Sequence, residues 1–497
     1  MYIYIYMGIP LYFKSCIKDY NNICSPSTEK IQLDNLFFDL NCLIHPCCNG
    51  EKDELVMYDK IFLEMTRIIN LVDPKKLIFI AIDGPCPKPK MIQQRLRRYK
   101  SAKEKKEWDT NAITPGTDFM NNLEIFIFKN INKFSRKVIF SSANEPGEGE
   151  HKIFDYIRNN NIDSNVIYGL DADLIMLSMI STSTNIYLIR ERTEYNFEGM
   201  DCDYIYLDIH KLKQAIINNI KPKEYNLTNE SLINDYIFIC FFIGNDFIQH
   251  TPSINIRYRG LDHLINTYKV LCDKYQGNYY LIDKEKEQII NINFLKEFIH
   301  ELSIREDDRI KDILNIRDKQ ENKFKKMYNN AKDKEDFSHH IPVIFRDKEK
   351  EVFREMKYWR TNYYMENIFR KCYSPAYEDI LIEKIDDMCH NYLQSLFWCI
   401  NYYLKGNIAW RFSYNYFEAP TFFDLYNYIK NIDKIEIDRD NNPYTPIEQL
   451  NMVIPNESIN LIKDTSLRDS SKFPENAKEC HLLKRYLWES YPILPNL

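Results

Sequence analysis

Val166-Ile167-Tyr168-Gly169-Leu170-Asp171-Ala172-Asp173 passes from an apolar run through a glycine turn into two acids, and the helical-looking stretch Leu174 to Met179 follows. Strand, acidic turn and helix succeed one another. The same order recurs along the first half of the chain and decides the fold. Leu36-Phe37-Phe38 stops at Asp39, and Leu77 to Ile82 stops at Asp83. The stretch EPGEGEHK, Glu145 to Lys152, breaks at Pro146 and opens a helix-like segment reaching Arg158, which sets Glu148 and Glu150 near a helix N-terminus. Asp246 stands in Gly244-Asn245-Asp246, directly after the apolar run Ile237 to Ile243.

Strand and helix signals in alternation predict crossover units, hence an α/β fold with a mainly parallel central sheet and flanking helices. Such sheets bind ligands outside the carboxyl ends of their strands, so Asp39, Asp83, Glu148, Glu150, Asp171, Asp173 and Asp246 are expected to converge there. One Asp after a strand is most often a turn residue or a helix cap. Seven carboxylates at one edge cannot all stay ionised unless divalent cations sit between them. An oxygen-only set with no His or Cys favours Mg²⁺, or alternatively Mn²⁺, over zinc. Two such ions about 3.5–4 Å apart are the usual apparatus of phosphodiester hydrolysis.

With 497 residues, 44% of them apolar, the chain can bury a large core. No apolar stretch is long enough to span a bilayer, and no signal peptide is visible, so the expectation is a soluble, cytoplasmic protein without a membrane partner. The cysteines lack the spacing of a zinc knuckle or redox motif and read as buried thiols. A formal charge of −6 excludes a generally basic nucleic-acid coat, so a polyanion must be met by a local patch. Between Lys75 and Lys106, every charged residue except Asp83 and Glu104 is basic. There, Lys90, Gln94, Arg97 and Arg98 fall at i, i+4, i+7 and i+8 of a helix and share one face. A charged helix face is most often merely solvated. This one opens seven residues after Asp83, where it could hold a terminal phosphate by charge-assisted bonds.

Three sections are expected: residues 1–290 as a catalytic lobe, 291–355 as a charged helical or mobile connector, and 356–497 as a second ordered region packing on the lobe. The first six residues, MYIYIY, read as an alternative start or a small strand extension.

The chain resembles the Xrn-type 5′-to-3′ exoribonuclease family. The resemblance rests on MGIPLYF (from Met7), FDLNCLIH (from Phe38), IDGPCPKPKMIQQRLRRYKSAKE (from Ile82), ITPGTDFM (from Ile113), EPGEGEHKIFDYIR (from Glu145), YGLDADLIML (from Tyr168) and FIGNDFIQHTPSI (from Phe242). YYLKGNIAWRFSYNYFEAP (from Tyr402), PIEQLNMVIP (from Pro446) and WESYPILPN (from Trp488) resemble the family's second conserved region. The resemblance implies a flap-nuclease-like, PIN-like core and a mostly helical second region. It implies that the seven acids hold two Mg²⁺ ions, and that Lys90, Gln94, Arg97 and Arg98 bind a 5′-monophosphate. It further implies that His45 and Trp410 stack on the first bases and that Pro87 blocks duplex entry. The expected substrate is single-stranded RNA with a 5′-monophosphate, degraded processively to nucleoside 5′-monophosphates by a monomer, with a decapping partner as a source of such ends.

Three departures bear on this. Only Lys105 to Ala112 intervene before ITPGT, which implies a shortened projection after the basic helix. Asn415, Phe417 and Glu418 replace the family's usual proline, histidine and tyrosine. The chain ends just after WESYPILPN, which implies a minimal core without accessory C-terminal domains. Two other readings stay open: a structure-specific flap-type endonuclease, and an inactive RNA-binding scaffold on the same fold.

Overall fold

The computed structural model describes residues 9, 11–102, 107–169, 171–192, 202–221, 227–276, 280–330, 346–370, 378–480, 482–484 and 489–495. MYIYIY, the end of the basic run at 103–106, connector residues 331–345 and Trp488 lie outside them.

A seven-stranded sheet forms the centre, built from β1 (Cys24–Pro26), β2 (Asn35–Asp39), β3 (Leu77–Ala81), β4 (Lys137–Ser141), β5 (Asn165–Tyr168), β6 (Ile186–Glu191) and β7 (Tyr204–Asp208). Its order is β1-β7-β6-β5-β2-β3-β4. Strands β2 to β6 run parallel, whereas β7 pairs antiparallel with both β6 and β1. In β2, β3 and β5 every residue is buried, as a parallel sheet covered on both faces requires.

Alternation within each strand sorts side chains into two cores. Phe37, Phe79 and Ile167 face one, with the helices Gly149–Asn160, Ala172–Ile180 and Asn229–Cys240. Leu36, Phe38, Ile78, Ile80, Val166 and Tyr168 face the other, under the helices Glu54–Val72 and Asp118–Asn130. Each large apolar side chain withdrawn this way contributes about 1.5–3 kcal/mol. Asp53 and Thr117 fix where the last two helices start, accepting from the backbone N–H of Leu55 and Met120.

The run Ile237 to Ile243 is not a strand. It completes the helix Asn229–Cys240 and a 3₁₀ turn, Phe241–Ile243. From Leu232 to Ile243 every residue is buried, so the helix shows no polar face, and its apolar run cannot be told from a strand by periodicity.

The second region is mostly helical. Its longest helix, Glu378–Lys405, is buried on nearly all sides from Met388 to Tyr403 and belongs to the core that includes Ile167. The back of the basic helix, Lys88–Ala102, is clasped by the end of the chain. Arg95 donates to the carbonyls of Pro495 (2.6 Å) and Lys472, Tyr99 to Pro474 (2.6 Å) and Lys100 to Ser490 (2.6 Å). Arg95 and Lys100, two members of the basic patch, thus hold protein rather than polyanion. Glu418, one of the departures, is a buried carboxylate that accepts from Tyr491 (2.8 Å) and pairs with Lys484 (3.4 Å). No helix among the described residues is long and apolar enough to cross a membrane.

Candidate active site

The chain lays β2, β3 and β4 outward in order, then crosses back to place β5 on the far side of β2. The connection therefore reverses direction between β2 and β5, and a parallel sheet opens its ligand crevice at such a reversal. Asp39 is the last residue of β2. Asp171 holds the N-cap position of the helix after β5, yet its side chain makes no capping bond.

Asp83, two residues past β3, is fixed from both sides. Asn41 donates to it (2.9 Å) and accepts its backbone N–H (3.1 Å), while the Gly149 N–H donates from the far side (2.6 Å). Gly149 has to be glycine: a β-carbon there would lie 2.7 Å from Asp39 Oδ1 and 3.3 Å from Asp83 Oδ1. That close approach lets Glu148 and Glu150, on either side of it, enter the cluster at a helix N-terminus whose dipole favours carboxylates. Asp173 lies in the first turn of the helix after β5, and Asp246 reaches in from the loop beyond Ile243.

All seven acids thus share one edge, linked by mutual repulsion. Burial, then Asp83 and Asp171, raises Asp39 well above the usual carboxylate range. Burial, then Asp173, does the same to Glu150. Burial pushes Asp171 up to about 7 and Asp173 up to about 8, with Asp246 adding to both. Glu148 is also raised by burial, against the opposing pull of Lys90. Three oxygens of this cluster, Asp39 Oδ1, Glu150 Oε2 and Asp171 Oδ1, are buried with no hydrogen-bond partner among the described residues. Buried anionic oxygens left open, close together and of hard donor type, fit divalent cations.

Lys90 sits inside this cluster. Its ammonium lies 2.6 Å from Glu148 Oε2 and 2.8 Å from Asp246 Oδ2. Burial alone would lower its pKa, and the surrounding carboxylates outweigh that and raise it. The remaining helix-face residues stand one to two turns further on. Gln94 accepts from Gln449 (3.3 Å). Burial lowers Arg98 to about 10, with the like charge of Arg97 adding to the effect. Arg98 Nη1 is buried without a partner among the described residues, and Arg97 is near enough to Asp171 to oppose that acid's upward shift.

His45 is half-buried in the helix Asn41–Cys48, one turn beyond Asn41 and on the same face. Trp410 is half-buried against Cys86, Met91, Tyr444 and Val453, and its carbonyl accepts the Lys88 N–H (2.9 Å) at the start of the basic helix. Pro87 is buried, its carbonyl accepting the N–H groups of Lys90 (3.0 Å) and Met91 (3.2 Å).

Several contributors were not foreseen from sequence. Tyr402 donates to Glu148 (2.9 Å) and Tyr403 to Asp173 (2.8 Å), both from the long helix of the second region. His151 stacks on Tyr402 with ring centroids 3.6 Å apart. Cys42 donates its thiol to Asp39 Oδ2 (3.3 Å). Asn41 and Cys42 sit in the FDLNCLIH stretch, so adjacency to Asp39 could have flagged them. Nothing local marks the two tyrosines.

The sheet order and its acid-lined edge define an α/β protein with a mainly parallel central sheet, flanking helices and a second, helical region. A family profile described as XRN 5′-3′ exonuclease N-terminus matches residues 7–107 and 102–192, and one described as Xrn1 helical domain matches 226–355 and 346–465. The chain belongs to the Xrn family of 5′-3′ exoribonucleases. It is 27% identical over 614 residues to a Drosophila melanogaster protein named 5′-3′ exoribonuclease 2 homolog, covering 96% of this chain and 66% of that one. It is also 27% identical over 643 residues to 5′-3′ exoribonuclease 1 of Schizosaccharomyces pombe, covering 98% of this chain and 47% of that one. The chain therefore spans about half to two thirds of the length of these relatives. Among solved structures, the catalytic core of Rad2 in complex with DNA substrate matches with a TM-score of 0.34 and 14% identity over 62% of this chain and 80% of that one. That likeness is too low to bear on substrate.

Proposed function

We propose that this chain hydrolyses single-stranded, 5′-monophosphorylated RNA processively from its 5′ end, releasing nucleoside 5′-monophosphates. The observation that carries the reading is the set of open, buried carboxylate oxygens of Asp39, Glu150 and Asp171, together with the buried Arg98 guanidinium, which keeps Nη1 open and feels the charge of Asp83. A cation site and an anion site stand side by side. Asp39, Asp83, Glu148 and Glu150 would hold one Mg²⁺ and Asp171, Asp173 and Asp246 the other. When bound, the ions supply a water acidic enough to attack phosphorus and a positive charge for the leaving 3′ oxygen.

The protein's own groups do the rest. Lys90, Arg97 and Arg98, with Gln94, hold the terminal phosphate by charge-assisted bonds. Lys90 neutralises Glu148 and Asp246 at the boundary of the two subsites. Tyr402 and Tyr403 hold Glu148 and Asp173 in orientation. His45 and Trp410 stack on the leading bases, which is sequence-tolerant because every base offers a π-face. Pro87, at the mouth of the basic helix, keeps duplex out. No side-chain nucleophile is needed. A cap fits a phosphate-sized pocket poorly, so a decapping activity is the natural supplier of substrate.

One RNA prepared with a 5′-monophosphate, a 5′-hydroxyl or a cap tests the reading by product analysis. Mononucleotides are expected from the first alone, with Mg²⁺ present and not with chelator. Equal decay of all three, or internal fragments as products, would refute it.

A further inference from the structure

The Cys42 thiol gives the acidic edge a donor that carboxylates do not. Cys42 Sγ and one carboxylate oxygen each from Asp39 and Asp171 all lie within 4.8 Å of one another. Cys42 is 1% exposed, Asp39 5% and Asp171 8%. Independently of that spacing, Asp39 Oδ1 and Asp171 Oδ1 are buried without a partner among the described residues, so two of the three groups present an unclaimed lone pair. The ligands of a tetrahedral zinc ion, about 2.0–2.3 Å from the metal, lie about 3.5 Å from each other. The three donors need to close by about 1.3 Å at most, leaving the fourth position to water.

We propose that Cys42, Asp39 and Asp171 form a binding site for a thiophilic divalent cation, Zn²⁺ above all, and that its occupancy excludes the working cation, making the chain subject to inhibition by soft metals. The inference rests on the reading of the acidic edge as a catalytic cation centre. Its chemistry is an exchange without electron transfer. The Cys42 S–H bond breaks, the sulfur lone pair forms the S–Zn bond, and the proton leaves to solvent. A thiolate beside carboxylates selects zinc over magnesium, whereas the carboxylates alone are hard-donor ligands suited to magnesium. Both ions claim Asp39 and Asp171, so they compete.

Cobalt alone, added to the metal-free protein, is the probe, because a thiolate bonded to Co²⁺ gives a charge-transfer absorption that carboxylates do not. The band is expected in the wild type, in Cys47→Ser and in Cys48→Ser, and lost in Cys42→Ser. Zn²⁺ should displace the cobalt, and its affinity should weaken in Cys42→Ser by at least the roughly 10- to 100-fold that follows loss of a group supporting a ligand. Within the wild type, excess Mg²⁺ should suppress the band, a result that needs no variant to fold. No band, a band unchanged in Cys42→Ser, or one indifferent to Mg²⁺ overturns the proposal. Mg²⁺-supported RNA hydrolysis without the band sinks this inference and leaves the nuclease reading standing. The band without hydrolysis refutes the nuclease reading, and with it the inhibition inferred here, while leaving the thiolate-bearing metal site standing.

Discussion

Asp235, within the helix Asn229–Cys240, and Asp171, at the sheet edge, are both carboxylates withdrawn from water, and burial pushes each up to about 7. Their surroundings differ. Asp235 accepts from the Tyr268 hydroxyl (2.7 Å) and from the backbone N–H groups of Leu281 (2.9 Å) and Ile282 (2.8 Å), stapling a distant segment to the helix. Glu306 is likewise fully buried and accepts from Phe422 (2.8 Å) and Phe423 (3.1 Å), the first N–H groups of the helix Phe422–Ile429. Asp171, Asp39 and Glu150 each keep an oxygen that nothing among the described residues satisfies. An unpaired buried polar group costs about 1–3 kcal/mol, more when charged. Asp235 and Glu306, which hold the chain together, are therefore saturated, whereas Asp39, Glu150 and Asp171 gather three open oxygens at one edge, an arrangement suited to something the folded chain does not itself contain.

The largest effect that would break this contrast is expected from Asp171→Asn combined with Asp173→Asn. RNA hydrolysis should fall below detection, since the ligands of one proposed cation are neutralised. The metal-free double variant should nevertheless melt no lower than the metal-free wild type near pH 8, because mutual repulsion has been removed. Calorimetry and product analysis on the same preparations decide it. Clear destabilisation would mean that these acids are structural after all.

Two arginines show a similar contrast. Arg317 is saturated, bonded to Glu349 through both carboxylate oxygens and to the Lys484 carbonyl (2.9 Å), whereas Arg98 keeps Nη1 open. A hydrogen bond to a charged group is worth about 1.5–3 kcal/mol. Arg98→Ala should therefore lower kcat/KM for 5′-monophosphate RNA by about 10- to 100-fold and leave 5′-hydroxyl RNA nearly unaffected. Parallel kinetics on the two RNAs supply the check, and an equal loss on both would remove Arg98 from end recognition. In the saturated set, Asp235→Asn puts an amide donor against two backbone donors and should cost about 1–3 kcal/mol of stability by denaturant titration, with the Mg²⁺ dependence of hydrolysis unchanged.

How much of this was legible in the chain depends on the distance over which each residue acts. Asp39 ends an apolar run in the sequence and ends β2 in the structure, because a strand and the turn that stops it are local events. The parallel sheet was readable for the same reason. Ile237 to Ile243 misled, since a helix buried on every side carries no period. Helical spacing placed Lys90 on one face with Arg97 and Arg98, and that arithmetic could not see that Glu148 and Asp246 would come to meet its ammonium. Tyr402 and Tyr403 reach acids more than two hundred residues earlier, and an aromatic-rich helix gives no sign of which hydroxyls will face the site. Cys42 lay in plain view, three residues after Asp39, but read as one more buried thiol.

The smallest effect is a pH dependence that separates the two kinds of acid within one protein. Asp171, Asp173 and Asp235 have folded-state values near 7, 8 and 7, against about 3.9 for an unfolded Asp. Between about pH 4 and pH 8, the folded protein holds protons that the unfolded chain has already released, so stability falls as pH rises through that window and levels off above it. A divalent cation can take the place of the protons on Asp171 and Asp173. It has no route to Asp235, whose oxygens are already bonded. Melting temperature followed from about pH 5 to about pH 9 should therefore decline with chelator present, decline less with saturating Mg²⁺, and decline less again in Asp235→Asn, the other buried acids raised by burial, Glu306 among them, keeping the rest of the slope. A slope that Mg²⁺ leaves untouched would mean that the open oxygens take up no cation, and the contrast between open and saturated acids would lose its functional meaning.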